Sequence, residues 1–296
     1  MKIAVTGASG LIGSALVPAL LIDGPEVLKL VRRQPEAPDE IRWDPARGQL
    51  DAGELAGVDA AVHLAGATVG RRWSASYKQK ILDSRVSGTR LLATTLAALE
   101  PRPRVLISGS AIGFYGDTKD TVRDESGPQG EGFLAEVVRQ WEAATQPARD
   151  GGIRVATIRT GLVLSGKGGI LPPQRLAWKF GLGARIGTGE QWQSWITLDD
   201  EIAAIRFLLD ADVSGPVNLV APEPVTQKAF GRALAGALHR PMPWVVPGFA
   251  LRLALNDFAD EGLLIGQRIR PRVLEEAGFT FGARTLDEGL QIALAG

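Results

Sequence analysis

The chain has no cysteine, only two histidines, no net charge and no long apolar run. Without Cys there is no disulfide framework, no thiol nucleophile and no thiolate metal site, which fits a reducing compartment. Lys plus Arg and Asp plus Glu number 33 each, so the global balance gives no attraction to nucleic acid or to an anionic membrane. The apolar stretches fall far short of the ~18 residues of a membrane span. The N-terminus carries no charged region followed by an apolar core and a small-residue cleavage site. Together these absences predict a cytoplasmic protein, monomer or homodimer, that takes a small-molecule substrate and has no metal centre. The histidines carry no chemistry in this reading, since His63 lies inside an apolar strand and His239 at a helix end.

What is present is a glycine turn around which the rest of the chain is organised. Ile3-Ala4-Val5-Thr6 is a short β-branched run that breaks into Gly7, Gly10 and Gly13, and Leu11, Ile12, Ala15, Leu16 and Leu20 then share one helical face. That is strand, tight turn, helix. Gly7 makes the sharp turn, Gly10 lets a ligand approach the backbone, and Gly13 lets the helix pack on the strand. The N–H groups of the first helical turn, over Ser9, Gly10, Leu11 and Ile12, and the positive end of the helix dipole behind them favour an anionic group such as a pyrophosphate. The spacing is G-x-x-G-x-x-G rather than G-x-G-x-x-G, but the position after a strand and before a helix supports a dinucleotide site.

A second strand, Glu26 to Val31, ends in Arg32-Arg33, where an acidic residue would accept the ribose 2′-hydroxyl of NAD and an Arg pairs with the 2′-phosphate of NADP. Arg32 follows Gly13 by 19 residues, close to the expected spacing of ~20. NADP(H) is the expected cofactor; the bland alternative is a solvated loop carrying two arginines. Trp43, next to Asp44-Pro45, walls an adenine pocket or caps the sheet edge. The strand from Asp59 ends in Leu64, Ala65 and Gly66, small residues against which a ligand can lie. Arg71 and Arg72 hold an anionic substrate group or are solvated. A long helix spans 76–99, and the strand 104–110 delivers Ser108 and Ser110 at its carboxyl end, where open parallel sheets bind ligands. A Gly-rich loop bearing Tyr115, a helix from Phe133 to about Ala148 and a strand from Val155 to Leu164 containing Arg159 complete an alternating pattern. That pattern predicts a Rossmann-type, doubly wound parallel sheet over 1–165.

Beyond residue 165 the pattern changes to Gly-, Arg- and Trp-rich sequence, read as a smaller, mostly helical substrate region over 166–296 that packs on the first part. Thr197, Thr226 and the pair Thr285/Glu288 are expected helix caps, and Pro216 to Val220 a short strand. Gln191 and Trp195, with Arg159, are candidates to line the substrate side.

The glycine turn, Leu64-Ala65-Gly66, the serine strand and Phe114-Tyr115-Gly116, in that order, resemble the extended short-chain dehydrogenase/reductase superfamily, which includes sugar-nucleotide epimerases. Trp43-Asp44-Pro45, Ser110-Ala111-Ile112-Gly113, Gln191 to Ile196 and Gln267-Arg268 are similar to the atypical subgroup called epimerase family proteins. The resemblance implies a Ser that holds the substrate oxygen, a Tyr that exchanges its proton, and a Lys four residues later that lowers the Tyr pKa and binds the nicotinamide ribose. Ser110 occupies the serine position, but Phe133 and Val137 stand where Tyr and Lys belong. A phenyl ring has no proton to give and Val carries no charge. Two readings follow: an NADP-dependent oxidoreductase or epimerase whose proton donor has moved, with Ser110 and Tyr115 as catalytic candidates, or a non-catalytic NADPH-sensing or interaction protein. In the bland alternative Tyr115 packs its loop and Ser110 caps its strand.

Overall fold

Residues of the first strand alternate between two cores, and that alternation sets the architecture. The computed structural model describes residues 1–22 and 24–295. Its first half runs β1 (Lys2–Thr6), α1 (Leu11–Ile22), β2 (Glu26–Val31), β3 (Glu40–Asp44), β4 (Gln49–Leu50), β5 (Ala60–His63), α2 (Ala75–Ala97), β6 (Val105–Ala111), α3 (Phe133–Ala143), α4 (Gln146–Asp150) and β7 (Arg154–Thr160). Ile3 and Val5 pack with Leu16 and Leu20 of α1, whereas Ala4 joins Leu28, Leu30 and Leu106 against Leu92 and Leu96 of α2. A strand buried on both faces cannot alternate with polar residues, which is why these segments read as continuous apolar runs.

The second half runs β8 (Leu162–Leu164), α5 (Leu171–Lys179), β9 (Ala184–Ile186), β10 (Trp192–Gln193), β11 (Trp195–Thr197), α6 (Leu198–Asp210), β12 (Gly215–Leu219), β13 (Val225–Thr226), α7 (Gln227–Leu238), β14 (Trp244–Val246), α8 (Gly248–Leu255), α9 (Arg272–Glu276) and α10 (Leu286–Ala295). The main sheet has the order β12-β7-β6-β5-β1-β2-β3-β4, parallel throughout except for the β3–β4 edge pair. The chain winds outward from β1 to β4 and returns to β5 on the other side of β1. The switch point, and with it the ligand crevice of such a sheet, lies at the carboxyl ends of β1 and β5.

The sheet does not end at residue 165. β12 pairs with β7 in register Val217↔Ile158, and Ile202, Ile205 and Leu208 of α6 enter the same core as α1. Of the remaining elements, β8, α5, β11, α7 and α10 gather around Trp195, Phe230, Leu234 and Leu290 in a core of their own, while Leu274 of α9 joins the core of α1 and α6. The caps expected from sequence form: the Thr197 and Thr226 hydroxyls accept the N–H groups of Asp200 and Ala229, and the Glu288 carboxylate accepts that of Thr285. The helix expected over 133–148 is instead two, α3 and α4. Pro147 has no N–H with which to continue the ladder through that turn.

One carboxyl is enclosed by this packing. Glu201 of α6 is fully buried; its Oε1 accepts the Thr160 hydroxyl at 2.8 Å, and its other oxygen has no hydrogen-bond partner among the described residues. Burial pushes its pKa up from 4.5 to about 8. Between those two values the folded protein holds a proton that the unfolded chain has released, so this group lowers stability progressively as pH rises from 4.5 to about 8 and no further above it. Glu201→Gln keeps an acceptor for Thr160 without the charge. Denaturant titrations at about pH 5 and about pH 8.5 should show the variant gaining on wild type at the higher pH, by on the order of a few kcal/mol. An equal difference at both pH values would contradict the assignment.

Candidate functional site

At the switch point three backbone segments touch, and only glycine permits the contacts. Gly7 has φ +71°, and a Cβ on it would lie 2.8 Å from the Leu64 carbonyl carbon. A Cβ on Gly13 would lie 2.2 Å from the Gly7 oxygen. Gly10 differs, because a Cβ there would meet only the Gly7 oxygen, at 3.3 Å, and otherwise project into open space. Gly10 closes the turn by donating its N–H to Gly7 O at 2.9 Å. Ser9 and Gly10 are exposed and Leu11 and Ile12 half-buried at the start of α1. Leu64, Ala65 and Gly66 run alongside, so the residues read from sequence as a cofactor cradle are brought together.

Thr6 fixes that contact. Its Oγ1 accepts N–H groups from Leu64 at 3.1 Å and Ala65 at 3.2 Å, and lies 2.7 Å from His63 Nδ1. With its lone pairs engaged by two donors, the hydroxyl directs its own proton to Nδ1, which assigns the imidazole proton to Nε2. Burial lowers the His63 pKa from 6.5 to about 4. The ring stays neutral and packs edge-on against Trp43, which is itself buried beneath the sheet.

The two arginines after β2 have different surroundings. Arg33 forms a bidentate pair with Glu40, at 2.8 and 2.7 Å. Arg32 is exposed and has no partner among the described residues. Of the loop arginines, Arg71 lies 4.5 Å from the Tyr77 ring centroid, and Arg72 donates to the Leu253 carbonyl at 3.1 Å.

Ser110, Tyr115 and Arg159 do come together, joined by two residues that the sequence did not flag. Ser110 Oγ donates to Glu142 Oε1 at 2.6 Å, and Arg159 grips both oxygens of the same carboxylate at 2.8 and 2.9 Å. The remaining Arg159 nitrogen donates to Tyr115 Oη at 2.9 Å, and that phenol donates to Asn218 Oδ1 at 2.8 Å. Asn218 in turn donates its backbone N–H to Glu125 and its side chain to the Arg270 carbonyl. Tyr115 is 3% exposed, and burial pushes its pKa up to about 12 despite the neighbouring guanidinium. The chain of bonds ties α3 to the carboxyl ends of β6, β7 and β12. Gln191 and Trp195 do not join it: the first donates to the Ile186 and Leu263 carbonyls, and the second is fully buried with its indole N–H on the Glu223 carbonyl.

The start of α3 is closed by the C-terminal part of the chain. Glu261 accepts the N–H groups of Phe133 and Leu134, at 2.9 and 2.7 Å, and so caps the helix. Phe133 and Phe258 each lie 5.4 Å from the Trp73 ring, and Val137 is buried with Ile81. Lys78 of α2 sits 5.1 Å from the Phe133 ring centroid and is ion-paired with Asp257. Tyr77 packs against the same plug, its phenol donating to the Thr68 carbonyl at 2.6 Å.

A parallel sheet with a glycine turn at its switch point defines the Rossmann class of α/β folds. A model of the NAD-dependent epimerase/dehydratase family matches residues 3–220, and this chain belongs to that family; residues 246–293 match a domain of unknown function, DUF1731. An epimerase family protein of Mycobacterium leprae is 46% identical over 293 residues, covering 98% of this chain and 95% of that protein. The crystal structure of a human epimerase family protein with NADPH superposes with TM-score 0.91 at 30% identity, covering all of both chains. A nucleoside-diphosphate sugar epimerase from Corynebacterium glutamicum gives TM-score 0.81 at 37% identity, over 99% of this chain and 59% of that one.

The buried network has a measurable consequence. Tyr115→Phe leaves Asn218 Oδ1 and one Arg159 N–H unpaired inside the protein, which should lower unfolding free energy by about 1–3 kcal/mol. Chemical denaturation reads this directly, and unchanged stability would show that the phenol does not anchor the loop.

Proposed function

We propose that this protein binds NADP(H) and acts on a small carbonyl compound in the manner of a reductase or epimerase, without the Tyr-Lys pair of its superfamily. The observation that carries the cofactor reading is the contrast at the end of β2, where Arg33 is consumed by Glu40 and Arg32 stands unpaired. The cradle fits a dinucleotide, since a Cβ at Gly10 would occupy space left open in front of the α1 N-terminus. The N–H groups of Ser9 to Ile12 would hold the pyrophosphate, Arg32 the 2′-phosphate, and the Leu64–Gly66 backbone would flank the ligand. The bound cofactor supplies hydride. The presence of NADPH in the similar human structure supports the same cofactor here.

On the substrate side Ser110 is the hydroxyl nearest in role to the superfamily serine; its proton is held by Glu142, itself gripped by Arg159, so a substrate oxygen would take over that donor. Tyr115 serves in this proposal as an anchor rather than as the acid, because its phenol is enclosed and already donates to Asn218. That same enclosure, with Phe133 and Val137, favours a second reading in which NADPH is bound and sensed without turnover.

Calorimetric titration separates the cofactors. An Arg–phosphate hydrogen bond contributes about 1.5–3 kcal/mol, so NADPH should bind roughly ten- to more than a hundredfold more tightly than NADH, and Arg32→Ala should abolish the preference. Equal affinities in wild type would remove the NADP assignment. NADPH absorbance followed with a carbonyl panel should show turnover that falls in Ser110→Ala and persists in Tyr115→Phe; tight binding with no turnover on any carbonyl would select the second reading.

A further inference from the structure

The superfamily places its proton donor and its cation on one helix, at the positions of Phe133 and Val137. In this protein the facing helix α2 carries the charges. Lys78, Ile81 and Arg85 of α2 meet Phe133, Val137 and Trp141 of α3 in order: Lys78 over the Phe133 ring, Ile81 packed with Val137, and the Arg85 guanidinium 5.0 Å from the Trp141 ring centroid. The charge of Lys78 is met by Asp257. That of Arg85 is met by nothing of opposite sign among the described residues.

The surroundings of Arg85 are specific. Its Nη1 donates to the Ala67 carbonyl at 2.9 Å and the Ile81 carbonyl at 3.3 Å, while Nε and Nη2 have no acceptor among the described residues. The guanidinium lies against Gly66, where a Cβ would come within 3.3 Å of Cζ and 3.5 Å of Nη2. Gly66 follows the Leu64–Ala65 backbone that touches Gly7. The cation therefore stands beside the glycine cradle, on the side towards α3. Burial lowers its pKa from 12.5 to about 10, the direction expected of a cation withdrawn from water without a counter-charge. A partly buried, unpaired guanidinium disfavours the folded state unless a ligand completes its bonds.

We propose that Arg85 replaces the missing lysine: it receives the nicotinamide-side half of the bound dinucleotide, donating Nε–H and Nη2–H to its ribose and phosphate oxygens. This rests on the NADP(H) reading above and adds a binding residue to it. Arg85 is the cation of the α2–α3 cleft with no carboxylate partner among the described residues, whereas Lys78 is paired with Asp257 and position 137 is Val.

The test compares two ligands that share the adenosine end. NADPH carries the nicotinamide half, and adenosine 2′,5′-bisphosphate does not. Each is titrated calorimetrically into wild type, Arg85→Gln and Arg85→Lys, with thermal melts of the free proteins as the folding control. Arg85→Gln should weaken NADPH by roughly ten- to a hundredfold while leaving the bisphosphate within about twofold, and Arg85→Lys should fall between. Should the Gln variant fail to fold, the Lys variant, which keeps the charge and a donor for Ala67, carries the comparison alone. Equal loss for both ligands, or no loss for either, would overturn the proposal and leave Arg85 as a clamp on the Ala67 carbonyl. Wild type that binds the bisphosphate but not NADPH would overturn it too. Wild type that binds neither would remove the NADP(H) reading with it.

Discussion

The contact between the turn after β1 and the end of β5 is the constraint on which the rest of the structure depends. It is made at van der Waals limits between backbones, with Gly7 against Leu64 and Gly13 against the Gly7 oxygen, and the Thr6 hydroxyl pins it by accepting two N–H groups and donating to His63. With close packing preventing approach and the Thr6 and Gly10 hydrogen bonds resisting separation, the N-terminus of α1 is held towards one point. Trp43 and Gly88 pack behind His63, so the same contact reaches through the sheet into the α2 layer. Residues that look like core therefore fix the direction of the N–H groups at the α1 N-terminus.

Around that fixed point the charges of α3 are engaged within the protein. Helix α3 presents Phe133 and Val137 to an apolar plug, and its own N-terminus is satisfied by Glu261 from the C-terminal region. Glu142, further along the same helix, draws Ser110 and Arg159 into an ion-paired network that continues to Tyr115 and Asn218. A buried pair of this kind adds little net stability over apolar packing but is costly to break, so it fixes geometry more than it strengthens the fold. The C-terminal segment reinforces the arrangement by pairing with the loop before α3, through Thr118 to Gly266 and Arg123 to Arg268.

The elements that sequence made legible are those set by local rules. The glycine turn, the apolar strand runs, the Thr caps at 197 and 226, and the short strand near Pro216 are each determined by neighbours within a few residues. What local rules could not reach was tertiary pairing. Ser110 meets Glu142 across 32 positions and Tyr115 meets Asn218 across 103, and neither Glu142 nor Asn218 stands in a pattern that marks it. Arg33 looked equivalent to Arg32 until Glu40, from the next strand, took it. Arg85 reads in sequence as one more charge on a helix face; only the packing of α2 on α3 and the bareness of Gly66 distinguish it. That β12 belongs to the main sheet was likewise hidden, since a five-residue strand gives no hint of its partner.

The central claim is that the glycine turn at the switch point holds a dinucleotide, and Gly10 is where that claim is most exposed. A side chain there meets little protein, yet would fill the space in front of the α1 N-terminus. NADPH titration of Gly10→Val, beside a thermal melt of the free protein, is the direct measurement. The account predicts that NADPH binding is lost while the melting temperature stays within a few degrees of wild type; undiminished NADPH affinity in a folded Gly10→Val protein would contradict it.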